Sequence, residues 1–332
     1  MNTSLTNAST CVWDTSLTEA VMPWLYSIIF IVSLVLNSIA AWIFFNIPST
    51  STFVVFLKHV VVADLLMTFT MPVKILSDFG VGSGQLRAIH CRYTAVIFYM
   101  TMYISITLLG LISLDRYLKI VRPFGKGILQ RVRVGQVISV VVWIVMWIST
   151  FPNMILSNKP PRYSKGRVKC ASMKSDLGLK WHEGLGYFCQ MVFWGTLALM
   201  VFCYTFISKT VYDSYKASKS SSVVASRRTN GKVFVVVAVF FFSYAPYHFV
   251  RVPYTLSQTR TLSQPPCWEQ KALYYTKQIT LWMSACNVCL DPLIYVFLCK
   301  MFRKKLTDTI SRKPPQKAES AAATATTTTT QL

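Results

Sequence analysis

Long blocks of residues without a single charge constrain this chain more than any other feature of its sequence. Met22 to Phe45 carries none, and neither do Tyr93 to Leu114, Val134 to Ser157 or Gly184 to Ser208. Each is long enough for the roughly 20 residues that a bilayer span requires. Three further blocks tolerate a few ionisable groups: Phe53 to Leu76 holds Asp64, Val233 to Ser257 holds His248 and Arg251, and Ala272 to Leu298 holds Lys277 and Asp291. Inside hydrocarbon every backbone N–H and C=O must be paired within its own segment, so stretches of this length are helices. The expected fold is therefore all-α, a seven-transmembrane helix bundle. Composition agrees, with 53% hydrophobic and 14% charged residues against about 25% charged in an average soluble domain.

Flanking charge sets the orientation. Residues 1–21 contain no Lys or Arg, carry Asp14 and Glu19, and hold glycosylation sequons at Asn2 and Asn7, which favours an extracellular N-terminus. They lack the basic start and apolar core of a cleavable signal, so the first helix is expected to target the chain to the membrane. Seven spans then leave the C-terminus in the cytosol. Arg122, Lys126, Arg131 and Arg133 after the third span, Lys209, Lys216, Lys219, Arg227, Arg228 and Lys232 after the fifth, and Lys300, Arg303, Lys304 and Lys305 after the seventh all fall inside, as the positive-inside rule expects. The net charge of +22 is mostly this cytoplasmic excess, and no nucleic-acid partner is expected. One loop breaks the rule. Between the fourth and fifth spans, on the outside, lie Lys159, Arg162, Lys165, Arg167, Lys169, Lys174 and Lys180 against Asp176 alone.

The expected organisation is an extracellular N-terminus (1–21), a seven-span domain (22–299), a short amphipathic eighth helix on the anionic inner leaflet (300–312) and a disordered tail (313–332), low in complexity from Pro314 onward. Ser320 and the tail threonines are candidate kinase sites. Four of the nine cysteines fall outside, where disulfides persist. Three pairings are open to Cys11, Cys91, Cys170 and Cys267, and the favoured one joins Cys91 to Cys170 and Cys11 to Cys267. No zinc-ligand spacing is present, and Cys286 with Cys289 is read as helix packing.

Ionisable groups inside spans are costly and usually functional. Asp64 and Asp291, if the helices bring them together, need either a shared proton or a cation such as sodium, with Ser105 and Asn287 as further oxygen donors. Asp115-Arg116-Tyr117 closes the third span at its cytosolic end. With Asn37, Asp64, Cys91, Trp143, Pro246 and Asp291-Pro292-Leu293-Ile294-Tyr295 in their order, these residues resemble the rhodopsin-like G-protein-coupled receptors from the first helix through the helix after the seventh. The resemblance implies that Asp115 holds Arg116 at rest and that Arg116 meets the G protein once helix six swings on the Pro246 kink. It also implies receptor kinases and arrestin at the tail, and an activation switch at Pro246, Asp291, Pro292 and Tyr295. Departures are Tyr244 for the usual Trp, Asp291 for the usual Asn, no proline in the fifth span, and Ser226-Arg227-Arg228 with no acid to lock Arg116.

On helix six, His248, Arg251 and Tyr254 recur every third residue, near enough to one face to look into the bundle together. With Lys277 and the basic outer loop they form a cationic funnel suited to phosphate. Ser113 to Ile120, Phe151 to Leu156, Cys170 to Ser175 and Tyr254 to Thr259 narrow the resemblance to purinergic nucleotide receptors, closest to the ADP-responsive subgroup coupled to the inhibitory G protein. That resemblance implies that Tyr99, Tyr103 and Asn153 face base and sugar, while Lys174, His182, Arg251, Tyr254, Gln258 and Lys277 face phosphates. Gly186 and Gln278 depart from relatives' Asn and Glu.

The expected function is a plasma-membrane receptor for ADP that lowers cyclic AMP, without enzymatic activity or cofactor. The alternatives are a receptor for UDP-sugars, for an anionic lipid or for a peptide, and more remotely a transporter or channel, which the absence of an inverted repeat disfavours.

Overall fold

The computed structural model describes residues 16–81, 84–122, 130–160, 163–164, 167–168, 170–217, 223–259 and 265–311. Asn2, Asn7, Cys11, Ser320 and the rest of the tail, and the side chains of Ser226, Arg227 and Arg228, lie outside that description. Seven long helices run through the described residues: α1 Ser16–Phe45, α2 Thr52–Asp78, α3 Gly84–Val121 and α4 Val132–Ile155, α5 Asp176–Ala217, α6 Val223–Thr259 and α7 Cys267–Leu298. Six of these, all but α6, are long and apolar enough to cross a membrane by length and composition. The short α8, Lys300–Ile310, follows, one turn shorter at most than the expected 300–312.

Helix ends depart from the apolar blocks because backbone hydrogen bonding continues beyond hydrocarbon. The expected N-terminal segment 1–21 gives up its last residues to α1, which begins at Ser16 with Glu19 in its first turn, the favourable end of the helix dipole for an acid. α5 starts at Asp176 rather than near Gly184. Ser175 Oγ accepts a hydrogen bond from the Gly178 N–H at 3.0 Å, a side-chain cap for one of the orphan amides of a helix start. α2 stops where Gly80 takes φ +72°; the Gly80 N–H bonds to Ser77 O and the Val81 N–H to Leu76 O, the paired bonds of a Schellman end. The one non-helical element among the described residues is a hairpin in the basic outer loop, β1 Tyr163–Ser164 antiparallel to β2 Arg167–Val168.

The helices close a ring. α3 packs on α2, α4 and α5, α6 bridges α5 and α7, and α7 returns to α1. Large apolar side chains line the outer surface, among them Ile28, Ile31, Val35 and Trp42 on α1 and Val137, Val141, Ile144 and Ile148 on α4. The inner face of α4 instead buries Gly135, Ser139, Met146 and Thr150. Lipid-facing bulk with small or polar residues at helix contacts is the membrane pattern. α8 tucks Phe302 against Phe44 and Tyr295 at ring separations of 4.9 and 6.0 Å, leaving Arg303, Lys304 and Lys305 exposed.

Two irregularities shape the bundle. α3 widens into a π turn at His90–Thr94, and Cys91 within it is bonded to Cys170, Cα to Cα 5.1 Å, tying the basic loop to the mouth of the bundle. Cys267 is also disulfide-bonded, while the rest of the expected Cys11–Cys267 pair lies outside the described residues. In α7, Pro292 cannot donate to the carbonyl four residues back, that of Val288. Asn37 Nδ2 of α1 donates to Val288 O instead, at 2.7 Å.

Close approach of α4 to α2 depends on Gly135, where an added Cβ would sit 2.6 Å from Thr52 Cγ2 and 3.3 Å from Thr52 Cα. We expect Gly135→Val to destabilise the protein by about 1–3 kcal/mol, measured as a lowered Tm of purified protein. Gly184→Ala, where an added Cβ meets nothing within 4 Å, serves as the unaffected control.

Candidate functional site

Three α-helical turns along one face of α6 carry the outer polar residues, and the structure sorts them by depth. His248 is deepest, 2% exposed. Its ring stacks on Phe193 at 3.8 Å, its Nε2 meets Tyr103 OH at 3.0 Å, and its Nδ1 meets Tyr244 O at 2.8 Å. Gln190 Nε2 of α5 donates to His248 O at 2.6 Å, stitching α5 to α6 just beyond Pro246.

Arg251 lies one turn further out and is 7% exposed. Tyrosines box its guanidinium, with ring centroids 5.2 Å (Tyr99), 5.8 Å (Tyr103) and 5.6 Å (Tyr247) from Cζ, within cation–π range. It donates to Tyr247 OH, and its Nε has no hydrogen-bond partner. Among the described residues the ion pairs are Lys74–Asp78, Arg87–Asp78, Lys119–Asp115 and Lys159–Asp176, so no carboxylate of that set neutralises Arg251. A buried cation without an anion is costly, which singles this position out. Between α5 and α6 a narrow cleft lined by Glu183, Gly186, Tyr187 and Thr255 reaches Arg251. A Cβ added at Gly186 would meet nothing within 4 Å.

The remaining expected contacts spread around the rim. Tyr254 is half-buried, takes a hydrogen bond from exposed Gln258 at 2.9 Å, and has Lys277 Nζ 5.5 Å from its ring centroid. Asn153 is 4% exposed and accepts from Lys174 Nζ at 2.8 Å, so this pair satisfies itself. Burial pulls the Lys174 ammonium down to about 8. His182 is half-buried near the start of α5. Of the basic loop, Lys159 is spent on Asp176 at 2.9 Å.

Sequence reasoning missed a second outer group. Asp78 accepts from Lys74 and Arg87, each at 2.6 Å, beside a small hollow lined also by Thr18, Tyr274 and Gln278. The four-residue spacing of Lys74 and Asp78 was the available signal.

Deeper, the expected carboxylate pair is fully enclosed. Asp64 accepts from Ser105 Oγ at 3.2 Å and from Tyr295 OH at 3.1 Å, and Asp291 accepts from Asn287 Nδ2 at 2.7 Å. Asp291 Oδ1 and Asn287 Oδ1 have no partner, which suits either a shared proton or a hard cation bound through oxygen.

At the cytosolic end one expectation is corrected. Asp115 makes its ion pair with Lys119 and none with Arg116. Lys119 Nζ lies 2.8 Å from both carboxylate oxygens of Asp115, while the Arg116 guanidinium sits 3.5 Å above the Phe53 ring. Helix geometry explains the choice, because residues four apart share a face and sequence neighbours diverge by about 100°. Tyr117 packs on Phe202 and Phe206.

Comparison with known proteins supplies the context. The family model described as "7 transmembrane receptor (rhodopsin family)" matches residues 36–295. The chain is 48% identical over 303 residues to purinoceptor 13 of Homo sapiens, covering 91% of this chain and 85% of that protein. It is 41% identical over 296 residues to purinoceptor 14 of Bos taurus (89% and 87%). It is 45% identical over 287 residues to G-protein coupled receptor 87 of Mus musculus (86% and 79%). The seven long helices, the Cys91–Cys170 bridge and these matches agree: the chain is a multi-pass membrane receptor, not an enzyme, and belongs to the rhodopsin family of seven-transmembrane receptors, within its purinoceptor group.

Proposed function

We propose that this receptor binds an extracellular anionic nucleotide, ADP in the simplest reading, and acts through an inhibitory G protein to lower cyclic AMP, with its N-terminus outside the cell. The observation that carries the ligand class is Arg251, buried among three tyrosines and in no ion pair among the described residues. A guanidinium fork matches phosphate oxygens in two directions. Tyr99, the half-buried one of the three, is the ring nearest to a base, and Lys277 adds a second cation toward α7. Names of relatives, purinoceptors 13 and 14, support the same class. A nucleotide carrying a sugar beyond its phosphates is the second reading, favoured by Gly186, where an added Cβ would meet nothing within 4 Å. Coupling is assigned to Arg116, and kinases and arrestin to the cytoplasmic tail. A sodium ion held by Asp64, Asp291, Ser105 and Asn287 is part of the proposal, supported by the unpartnered oxygens of Asp291 and Asn287.

Loss of one desolvated cation that contacts a diphosphate costs on the order of 2–5 kcal/mol, tens to thousands of fold in affinity. Agonist competition on Arg251→Gln and Lys277→Gln, comparing ADP, UDP-glucose and an uncharged nucleoside at matched receptor density, should show that loss for the phosphorylated ligands alone. Unchanged affinity in both variants, within about threefold, would reject the phosphate reading.

Lys174 adds a pH signature. Its ammonium is already lowered to about 8, and an adjacent phosphate favours the charged form and raises that value. Affinity should therefore hold steady below pH about 8 and weaken above it, by up to about tenfold per pH unit, as the free receptor loses the proton that the complex keeps. Lys174→Met should flatten the profile between about pH 7 and about pH 9.5, and a flat wild-type profile would remove Lys174 from the phosphate contacts.

A further inference from the structure

Pro246 and Pro253 both lie inside α6, and each lacks the N–H that would bond to the carbonyl four residues back, that of Phe242 and of Phe249. The two turns between the prolines are therefore weakly joined to the helix at either end, and they carry Tyr247, His248 and Arg251. Their orientation has to come from the neighbouring helices. Phe193 of α5 supplies a face, stacked on the His248 ring at 3.8 Å. Gln190 of α5, 8% exposed, supplies a direction, its Nε2 donating to His248 O at 2.6 Å. A primary amide can turn over with little change in shape, exchanging donor for acceptor, and a reversed Gln190 would set oxygen against oxygen at His248. Trp194, one turn further along α5, decides between the two. Its indole N–H can only donate, and it meets Gln190 Oε1 at 3.0 Å. The indole is 37% exposed on the outer surface of the bundle, its ring 5.0 Å from that of Phe249, where hydrocarbon offers no water to compete for the bond.

We propose that Gln190 and Trp194 are a positioning pair for Arg251: the indole fixes which way the Gln190 amide faces, and the amide fixes the two-turn segment of α6 that aims the guanidinium. The inference rests on Arg251 contacting the ligand's phosphates. Arg251 stands less than one turn beyond His248, so a rotation of the segment at His248 is carried directly to the guanidinium. Without the indole donor the amide loses its preference for the orientation that grips His248 O. Without the amide, the segment keeps its ring contacts and loses the bond that sets its phase. In either case Arg251 meets the ligand in a broader range of positions, and ordering it is added to the work of binding. A side chain on the outer surface of the bundle thus acts on phosphate recognition without touching the ligand.

The test uses full-length receptor in lipid nanodiscs at matched density, with ADP competition as one readout and the indole N–H signals of isotope-labelled tryptophan as the other. Trp194→Phe keeps a ring in place and loses the donor, and Gln190→Leu removes the amide. Each should lower ADP affinity about threefold to tenfold, the scale of a hydrogen bond between membrane helices, and the double variant should lose no more than either. Gln190→Glu, which keeps the acceptor for Trp194 and has no donor for His248 O, should lose as much. Gln190→Leu should also shift the Trp194 indole signal, the one missing from Trp194→Phe. In an Arg251→Gln background, where no guanidinium remains to be aimed, Trp194→Phe and Gln190→Leu should change ADP affinity no further. Unchanged ADP affinity in both single variants, additive losses in the double variant, or an equal fall in the Arg251→Gln background, the mark of a general loosening of the bundle, would overturn the proposal. Should Gln190→Leu fail to fold, Trp194→Phe alone, with and without Arg251→Gln, decides it. Unchanged ADP affinity in Arg251→Gln itself rejects the phosphate reading, whereas a loss there with unaltered Trp194→Phe and Gln190→Leu rejects only the part assigned to the pair.

Discussion

A peptide carbonyl without a donor costs several kcal/mol in hydrocarbon, and Pro292 creates one at Val288 in the middle of α7. The Asn37 amide meets it from α1 at 2.7 Å, and much of the inner half is organised around that repair. With α7 held to α1 at this level, Asp291 and Tyr295 on the following turns are carried to α2, where Tyr295 donates to Asp64. Asp64 in turn binds Ser105 of α3. One broken helical bond thus becomes a polar seam through four helices. On α6, Ser284 of α7 donates to Ser243 O at 3.2 Å, one residue along from the Phe242 carbonyl that Pro246 leaves without its helical donor.

The outer half works by a different balance. Cations outnumber anions there, and four of them are engaged: Lys74 and Arg87 share Asp78, Lys159 holds Asp176, and Lys174 rests on the Asn153 amide. Among the described residues Arg251 is in no ion pair and meets three tyrosine rings and the Tyr247 hydroxyl, while Lys277 lies over the Tyr254 ring. Under the proposed function, an anion drawn by the outer charge meets, deeper in, a guanidinium boxed by tyrosines rather than paired with a carboxylate.

Much of this was legible in the sequence for a definite reason. Span positions follow from charge-free length, and the inward placement of His248 and Arg251 from helical periodicity, because both are consequences of one chemical constraint imposed by hydrocarbon. Helix ends were less so: the start of α5 at Asp176 and of α1 at Ser16 depends on caps and dipoles in water, where hydropathy is silent. Partner choice was least legible. Asp115 stands next to Arg116 in the chain, yet pairs with Lys119 because sequence neighbours point apart on a helix. Lys74, Asp78 and Arg87 went unnoticed because Arg87 belongs to a different helix, and no spacing rule links it to Asp78. The side-chain bond between Asn153 and Lys174, 21 residues apart, depends on a loop folded back over the bundle.

The wide turn at His90–Thr94 has a consequence for how such a receptor can change over time. A π turn accommodates one residue more than an α turn, and each residue rotates what precedes it by about 100°. The six residues Gly84–Ile89 are therefore indexed separately from the long inner stretch of α3. Arg87 reaches Asp78 in that rotated frame, while Tyr99, Tyr103 and Asp115 keep the phase of the bundle. A single insertion or deletion in the turn would re-aim the rim as a unit and leave the interior in register, so recognition at the mouth and transmission below can drift independently.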